Sequence, residues 1–271
     1  MFAQRDQVAA ERPRRRGLWL LVAACSAVLV VVAAAVPVFG WAAQQSSTRT
    51  WTQQHAVSQV NVQLTSGDVS IVPGPAGMVS LVQTLTWVTE RPTITESWSG
   101  DVLTVTESCD SSHDSPFGVG GCGAQLRLSV PASAMVGATA DSGNVAVTGM
   151  SGAVHAEATS GDVILDGDSG YLGVYTRSGS VSGDRLRSPH VEATVLSGDL
   201  SLDFAAAPTI VNASVQSGDA SVVVPAGTTY RVSGQTQSGD RSVEPRLVDD
   251  ASNRSITLGT LSGDTSLGYP N

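Results

Sequence analysis

The chain is 271 residues long, with a formal net charge of −9, 41% hydrophobic residues, 14% charged residues, 5% aromatics and 28 Gly. An acidic balance and the lack of clustered positive charge beyond residue 16 exclude a phosphate-binding surface, so no nucleic-acid partner is expected. Low charge, few aromatics and abundant Gly, Ser, Thr, Val and Ala argue against an ordinary helical enzyme. They fit a β-rich chain with an interior of small aliphatic residues.

Residues 1–16 hold five Arg (Arg5, Arg12, Arg14, Arg15, Arg16) against Asp6 and Glu11, a net of +3; the rest holds 10 Arg against 22 acids, a net of −12. Between them runs an uncharged apolar stretch from Leu18 to Gly40. As a helix at roughly 1.5 Å per residue it would reach about 34 Å, enough to cross a bilayer. The Arg cluster places the N-terminus in the cytoplasm and everything after Trp41 outside, with Trp19 and Trp41 near the two interfaces. The expected organisation is a cytoplasmic tail over 1–16, a transmembrane helix over 17–41, a polar linker over 42–56 and an extracytoplasmic domain over 57–271.

Two alternatives share that run. A cleaved signal peptide has a shorter apolar region of about 7–15 residues, and Gly40-Trp41-Ala42 is a poor cleavage site. Val22-Ala23-Ala24-Cys25 resembles a lipobox with Cys25 as the acylated residue, but too few apolar residues precede it. Export follows from all three.

Export makes Cys109 and Cys122 readable. They bracket CDSSHDSPFGVGGC, a Gly/Ser/Asp-rich loop, and in an oxidising compartment the default is a disulfide. Such a bridge is worth around 3 kcal/mol in the chain-entropy model. A metal site of Cys109, His113 and Cys122 is the alternative, without standard zinc spacing and without a fourth ligand.

The most informative feature is a beat of Ser-Gly pairs at Ser142-Gly143, Ser151-Gly152, Ser160-Gly161, Ser169-Gly170 and Ser178-Gly179, each nine residues after the last. It continues at Gly198, Gly218, Gly239 and Gly263, with earlier copies at Ser66-Gly67-Asp68 and Ser99-Gly100-Asp101. Between turns the side chains alternate: Val154, Ala156 and Ala158, then Val163 and Leu165; Val191, Ala193 and Val195, then Leu200, Leu202 and Phe204. Period two means strands with one buried face, and Gly followed by Asp supplies the bend between them.

A transmembrane β-barrel would need lipid-facing bulk and aromatic girdles, and a sandwich does not require near-identical consecutive turns. A β-solenoid of about 18–21-residue coils accounts for both the turns and the small core residues. Stacked in chain order from about Val57 to the C-terminus, roughly 11 coils at about 4.8 Å would make a rod around 50 Å long.

The segments VTGMSGAVHAEATSGDVIL, VEATVLSGDLSL, VNASVQSGDASVVVPAGTTYRVSGQTQSGD and LRLSVPASAMVGATADSGNVAV resemble the bacterial putative-adhesin family. The resemblance covers roughly residues 57–267. It implies an exported β-strand-repeat domain of unknown function tethered behind one membrane helix, and it supplies no catalytic residues.

In a solenoid equivalent turn residues stack, so Asp162, Asp199, Asp219, Asp240 and Asp264 form a column, with Asn144 and Ser180 at matching slots. Unit charges about 4.8 Å apart repel by roughly 0.9 kcal/mol even in water, so something must relieve the column. Each carboxylate could accept N–H groups of its own turn, or the column could be a calcium ladder. Structural turns are the expectation, since nonapeptide calcium rolls need a different Gly-Asp spacing.

His55, His113, His155 and His190 are scattered, and no G-x-S-x-G, H-E-x-x-H or phosphate loop occurs. No enzyme and no cofactor are therefore expected, and a polysaccharide-active β-helix enzyme is the remote alternative. Arg241 stands where sister repeats place Leu200, Ala220 or Val163; it should snorkel outward or pair with the Asp column. Ser214, Gln216, Ser221, Thr236 and Gln237 should form a polar face. Together these features predict a membrane-anchored, adhesin-like binding module whose partner is a cell-wall polymer or another envelope protein. The alternative is the ectodomain of an envelope-stress sensor.

Overall fold

A computed structural model describes residues 20–27, 44–88, 90–109 and 121–270. Residues 20–27 are helical, and among the described residues no helix is long and apolar enough to cross a membrane. The Arg-rich tail and most of the predicted span 17–41 lie outside the described residues.

From Gln45 onward the regular structure of the described residues is all strand except for one 3-10 turn at Pro245–Leu247. The first five are β1 (Gln45–Gln54), β2 (Gln59–Gly74), β3 (Met78–Trp87), β4 (Thr93–Ser99) and β5 (Val102–Ser108). Eleven short strands follow: β6 (Cys122–Pro131), β7 (Met135–Ser142), β8 (Val145–Thr148), β9 (Val154–Ser160), β10 (Val163–Asp166), β11 (Leu172–Ser178), β12 (Val181–Leu186), β13 (His190–Ser197), β14 (Leu200–Phe204), β15 (Ile210–Ser217) and β16 (Ala220–Val223). The last are β17 (Arg231–Ser233), β18 (Thr236–Ser238), β19 (Arg241–Val243), β20 (Ser255–Ser262) and β21 (Thr265–Gly268).

The alternating residues do what their period demands. Val154, Ala156, Ala158, Val163 and Leu165 turn inward and are at most 2% exposed. Small residues at these slots let two parallel sheets face each other closely, so the core is thin and continuous from Val57 to Leu267. Along one sheet Val136, Val154, Leu172, Val191 and Val211 are register partners. Along the other, Val145, Val163, Val181, Leu200 and Ala220 are.

The stack does not follow chain order at either end. On the N-terminal side β5 and β6 stack outside β2, and β2 in turn pairs with β7 and β8. On the C-terminal side the last strands, β20 and β21, lie between β15–β16 and the earlier β17–β19. Nine parallel coils result among the described residues: β5–β6, β2, β7–β8, β9–β10, β11–β12, β13–β14, β15–β16, β20–β21 and β17–β19. At about 4.8 Å each they stack to roughly 43 Å. The expectation of 11 coils in sequence order is thus corrected, because part of the chain forms end layers and connections.

The N-terminal end layer is antiparallel: β3 pairs with β6, β1 with β3, and β4 with β5. Trp51, Trp87, Ile94 and Trp98 lie half-buried there against the core. The Trp51 indole N–H donates to Glu96 at 2.8 Å, and the His55 ring lies 4.4 Å from that of Trp98. This replaces the polar linker expected over 42–56, since Gln45–Gln54 is a strand paired along its whole length with β3. Ser99-Gly100-Asp101 is likewise the β4–β5 hairpin turn and no coil corner.

Candidate functional site

Each coil is flat, with a corner at either side, and the nine-residue beat is half a coil. Ser142-Gly143, Ser160-Gly161 and Ser178-Gly179 mark one corner, Ser151-Gly152 and Ser169-Gly170 the other. At the first corner Gly143, Gly161, Gly179, Gly198, Gly218, Gly263 and Gly239 have φ between 131° and 149°. A Cβ on Gly161 would collide with the carbonyl oxygen of Gly143, and one on Gly179 with that of Gly161. The requirement is therefore double, a backbone conformation hostile to side chains and an approach too close for one. The last steps run Gly218, Gly263, Gly239, because a Cβ on Gly263 would meet the Gly218 oxygen and one on Gly239 the Gly263 oxygen.

The residue after each Gly forms a second column. Asn144 N–H donates to Asp68 Oδ1 at 2.9 Å, Asp162 N–H to Asn144 Oδ1 at 2.8 Å, and Ser180 N–H to Asp162 Oδ1 at 2.8 Å. The series continues from Asp199 N–H to Ser180 Oγ at 3.3 Å, Asp219 N–H to Asp199 Oδ1 at 2.9 Å, Asp264 N–H to Asp219 Oδ1 at 2.7 Å and Asp240 N–H to Asp264 Oδ1 at 2.8 Å. Each side chain thus caps the N–H of the neighbouring coil, whereas its own turn was the expected source. One peptide dipole for each of Asp68, Asp162, Asp199, Asp219 and Asp264 offsets the repulsion down the column, which ends at Asp240. Among the described residues no three His, Cys, Asp or Glu side chains converge to hold a metal ion.

At the opposite corner Asp168 is buried. One oxygen accepts the Met150 N–H at 2.7 Å, and the other has no partner among the described residues. Burial pushes its carboxyl from the ordinary 3.8 up to about 6, against the lowering effect of the Met150 N–H. Near it Arg185, at a bulge and with φ 50°, pairs with Asp166.

Cys109 and Cys122 are bonded to each other with Cα atoms 6.0 Å apart; His113 lies outside the described residues. Arg241 is exposed at the end of the stack, and among the described residues it forms no ion pair with the Asp column. Its guanidinium donates to the carbonyl oxygens of Gly234 at 2.8 Å, Leu258 at 3.1 Å and Ser233 at 3.4 Å, tying together the open end of the stack. The polar residues read as one face separate: Ser214, Gln216 and Gln237 lie along one sheet and Ser221 on the other, while the Thr236 hydroxyl bonds to that of Thr265 at 2.7 Å in a partly buried site. His155 and His190 sit exposed on the outer face of the sheet holding β9 and β13.

Sequence reasoning missed Asp168, whose burial follows from coil stacking, and Glu107, which sits buried beside the N-terminal end layer. Glu107 accepts the Thr65 and Ser66 N–H groups at 2.8 and 3.0 Å and so caps the first bend of β2. No local motif announces either carboxylate.

A stack of parallel two-stranded coils, held by a Gly column and a side-chain ladder, defines an all-β repeat domain of the solenoid kind. The chain belongs to the Toastrack family of unknown function, DUF4097, which it matches over residues 97–268. No curated protein matches the sequence. Among solved structures it is similar to a putative adhesin of Bacteroides fragilis, at 14% identity and a TM-score of 0.44, over 83% of this chain and 97% of that one. It is also similar to a putative cell adhesion protein of Clostridium sporogenes, at 11% identity and a TM-score of 0.38, over 83% of this chain and 100% of that one. A putative lipid binding protein of Parabacteroides distasonis matches at 11% identity and a TM-score of 0.31, over 84% of this chain and 97% of that one.

Proposed function

We propose that this chain is an exported, single-pass, membrane-anchored module that binds or scaffolds at the cell envelope and carries out no catalysis. The observation that supports this reading most is how the coil is used. Corners and interior are committed to holding a rigid stack, while the outer sheet faces present Ser, Thr, Gln and Tyr side chains to solvent. A rigid body with repeated polar faces suits multivalent contact with a cell-wall polymer or another envelope protein. The apolar run Leu18–Gly40 behind an Arg cluster supports anchoring and orientation.

The sensor alternative draws support from β1. Its pairing with β3 starts at Gln45, so few residues separate the apolar run from the stack and a load on the domain would reach the membrane segment directly. The test is co-sedimentation of the full chain, held in lipid nanodiscs, with isolated sacculi at two salt concentrations, with and without calcium. Saturable, salt-resistant and calcium-independent pelleting is the expected result. No pelleting under any condition overturns wall contact and leaves a membrane protein partner.

A further inference from the structure

On the outer face of the sheet that holds β9, β11 and β13, three neighbouring strands bring aromatic and acidic side chains together around a glycine. There His155, Gly173 and Glu192 are register neighbours across three strands, and Glu157, Tyr175 and Thr194 are neighbours one alternation further along. A glycine at an outward strand position gives up both propensity and packing, and it marks a close approach by another group. Here a Cβ on Gly173 would lie 2.8 Å from His155 Nδ1 and 3.2 Å from a Tyr171 ring carbon. The missing side chain is what lets His155 and Tyr171 lean over the strand. Their rings are 5.3 Å apart, and the Tyr171 hydroxyl donates to Glu192 at 2.9 Å.

The result is a shallow groove of about 450 Å³, with Thr139 along one margin. Its lining includes two tyrosines, two glutamates, a histidine and two threonines, and no Arg. The next outward residue after Tyr175 on β11 is the exposed Arg177, outside that lining. With two carboxylates and no Arg, the centre of the groove disfavours phosphate or carboxylate ligands, and the acidic balance of the chain beyond residue 16 repels them further. An amine would use the carboxylates and the ring faces but would leave the Tyr and Thr hydroxyls idle. A sugar uses all of them, since its hydroxyls both donate and accept and its C–H face lies against an aromatic ring.

We propose that the groove formed by His155, Glu157, Tyr171, Gly173, Tyr175 and Glu192 binds an uncharged sugar unit of a polysaccharide. Glu157 and Glu192 accept sugar hydroxyls, and the Tyr175 ring supports the sugar face. This assignment rests on the envelope-binding reading and gives it a place on the molecule.

The test is calorimetric titration of the full chain in lipid nanodiscs with cellotetraose, maltotetraose and chitotetraose, and with spermidine as the amine probe. The variants are Tyr175→Ala, Glu157→Gln and Gly173→Val, with Ser201→Ala on the opposite sheet as control. At least one tetrasaccharide is expected to bind, with affinity reduced about tenfold by Y175A. E157Q and G173V are expected to weaken binding as well, and S201A to leave it unchanged. Y175A and E157Q act on exposed or half-exposed side chains, so the assignment stays falsifiable if G173V misfolds. Binding by none of the sugars overturns it, as does sugar binding indifferent to Y175A and E157Q. Spermidine binding lost in the same variants, without sugar binding, makes the groove an amine site and also overturns it. Sacculus pelleting that survives Y175A and E157Q separates the two levels: the envelope reading stands and this groove is not its seat.

Discussion

The middle of the stack and its C-terminal end build the same coil from different materials. In β9–β10 the inward slots hold Val154, Ala156, Ala158, Val163 and Leu165, all sealed from water. In β17–β19 the corresponding slots hold Val232, Gly234, Thr236, Arg241 and Val243, none fully buried. The difference follows from neighbours. A middle coil has a coil on each side, whereas the terminal one has water on one side, so apolar burial there returns little and backbone groups near the edge need partners. Arg241 answers that need with a guanidinium on three carbonyl oxygens. The short, broken, Arg-bearing edge strands also discourage another chain from adding on.

The sharpest way to break the middle is at its Gly column. Gly161→Ala should cost about 3 kcal/mol or more, combining positive-φ strain with the clash against the Gly143 carbonyl. Gly100→Ala, in the hairpin with φ 59° and open space around it, should cost about 1 kcal/mol. Urea midpoints of the two variants compare them directly, and equal losses would deny the column its role.

Asp168 adds a pH dependence to the middle coils. Its folded pKa of about 6 lies above the unfolded 3.8, so the folded state binds the proton more tightly. Its contribution is most favourable below about pH 4, falls as pH rises towards 6, and stays low above that. The loss amounts to roughly 2–3 kcal/mol. Unfolding at pH 4, 5, 6 and 7.5 should show that decline relative to Asp168→Asn, in which the slope from this group vanishes. A wild-type profile parallel to the variant's would contradict the assignment.

Arg241→Ala should cost less, about 1 kcal/mol, and the cost should be local. Hydrogen exchange should accelerate in 231–243 and leave β9–β12 unchanged. Acceleration throughout would mean that the end is not a separate, weaker unit.

The strands and corners of the middle were legible because alternation and the Ser-Gly beat are local properties. Stacking order was not legible, since a parallel coil offers the same N–H and C=O ladder to any neighbour. One trace of it does exist in the sequence. Read in spatial order, two rows of inward slots become more polar towards the end: Val215, Thr260, Thr236 along one sheet and Leu200, Ala220, Thr265, Arg241 along the other. Read in chain order, Arg241 precedes Thr265 and the second row loses its gradient, while the first reads the same either way. β1 carries no strand signal because QSSTRTWTQQ lacks apolar alternation; as an edge strand it keeps only Ser47 and Trp51 partly covered. The Tyr171–Glu192 groove had no motif, because its members come from three coils whose register is set by 18- and 19-residue steps.

The out-of-order end is tested most directly by paired cysteines on the sheet of β16, β21 and β19. Ser221 and Ser266 are register partners with hydroxyls 2.9 Å apart, and Ser242 pairs with Ser266 on the far side. In a Cys25→Ser background, Ser221→Cys with Ser266→Cys, and Ser242→Cys with Ser266→Cys, should each cross-link under mild oxidation. Ser221→Cys with Ser242→Cys should not, since two strand spacings of about 4.8 Å exceed the reach of a disulfide. Efficient cross-linking of 221 with 242 and none of 221 with 266 would mean that the coils stack in chain order, contrary to this account.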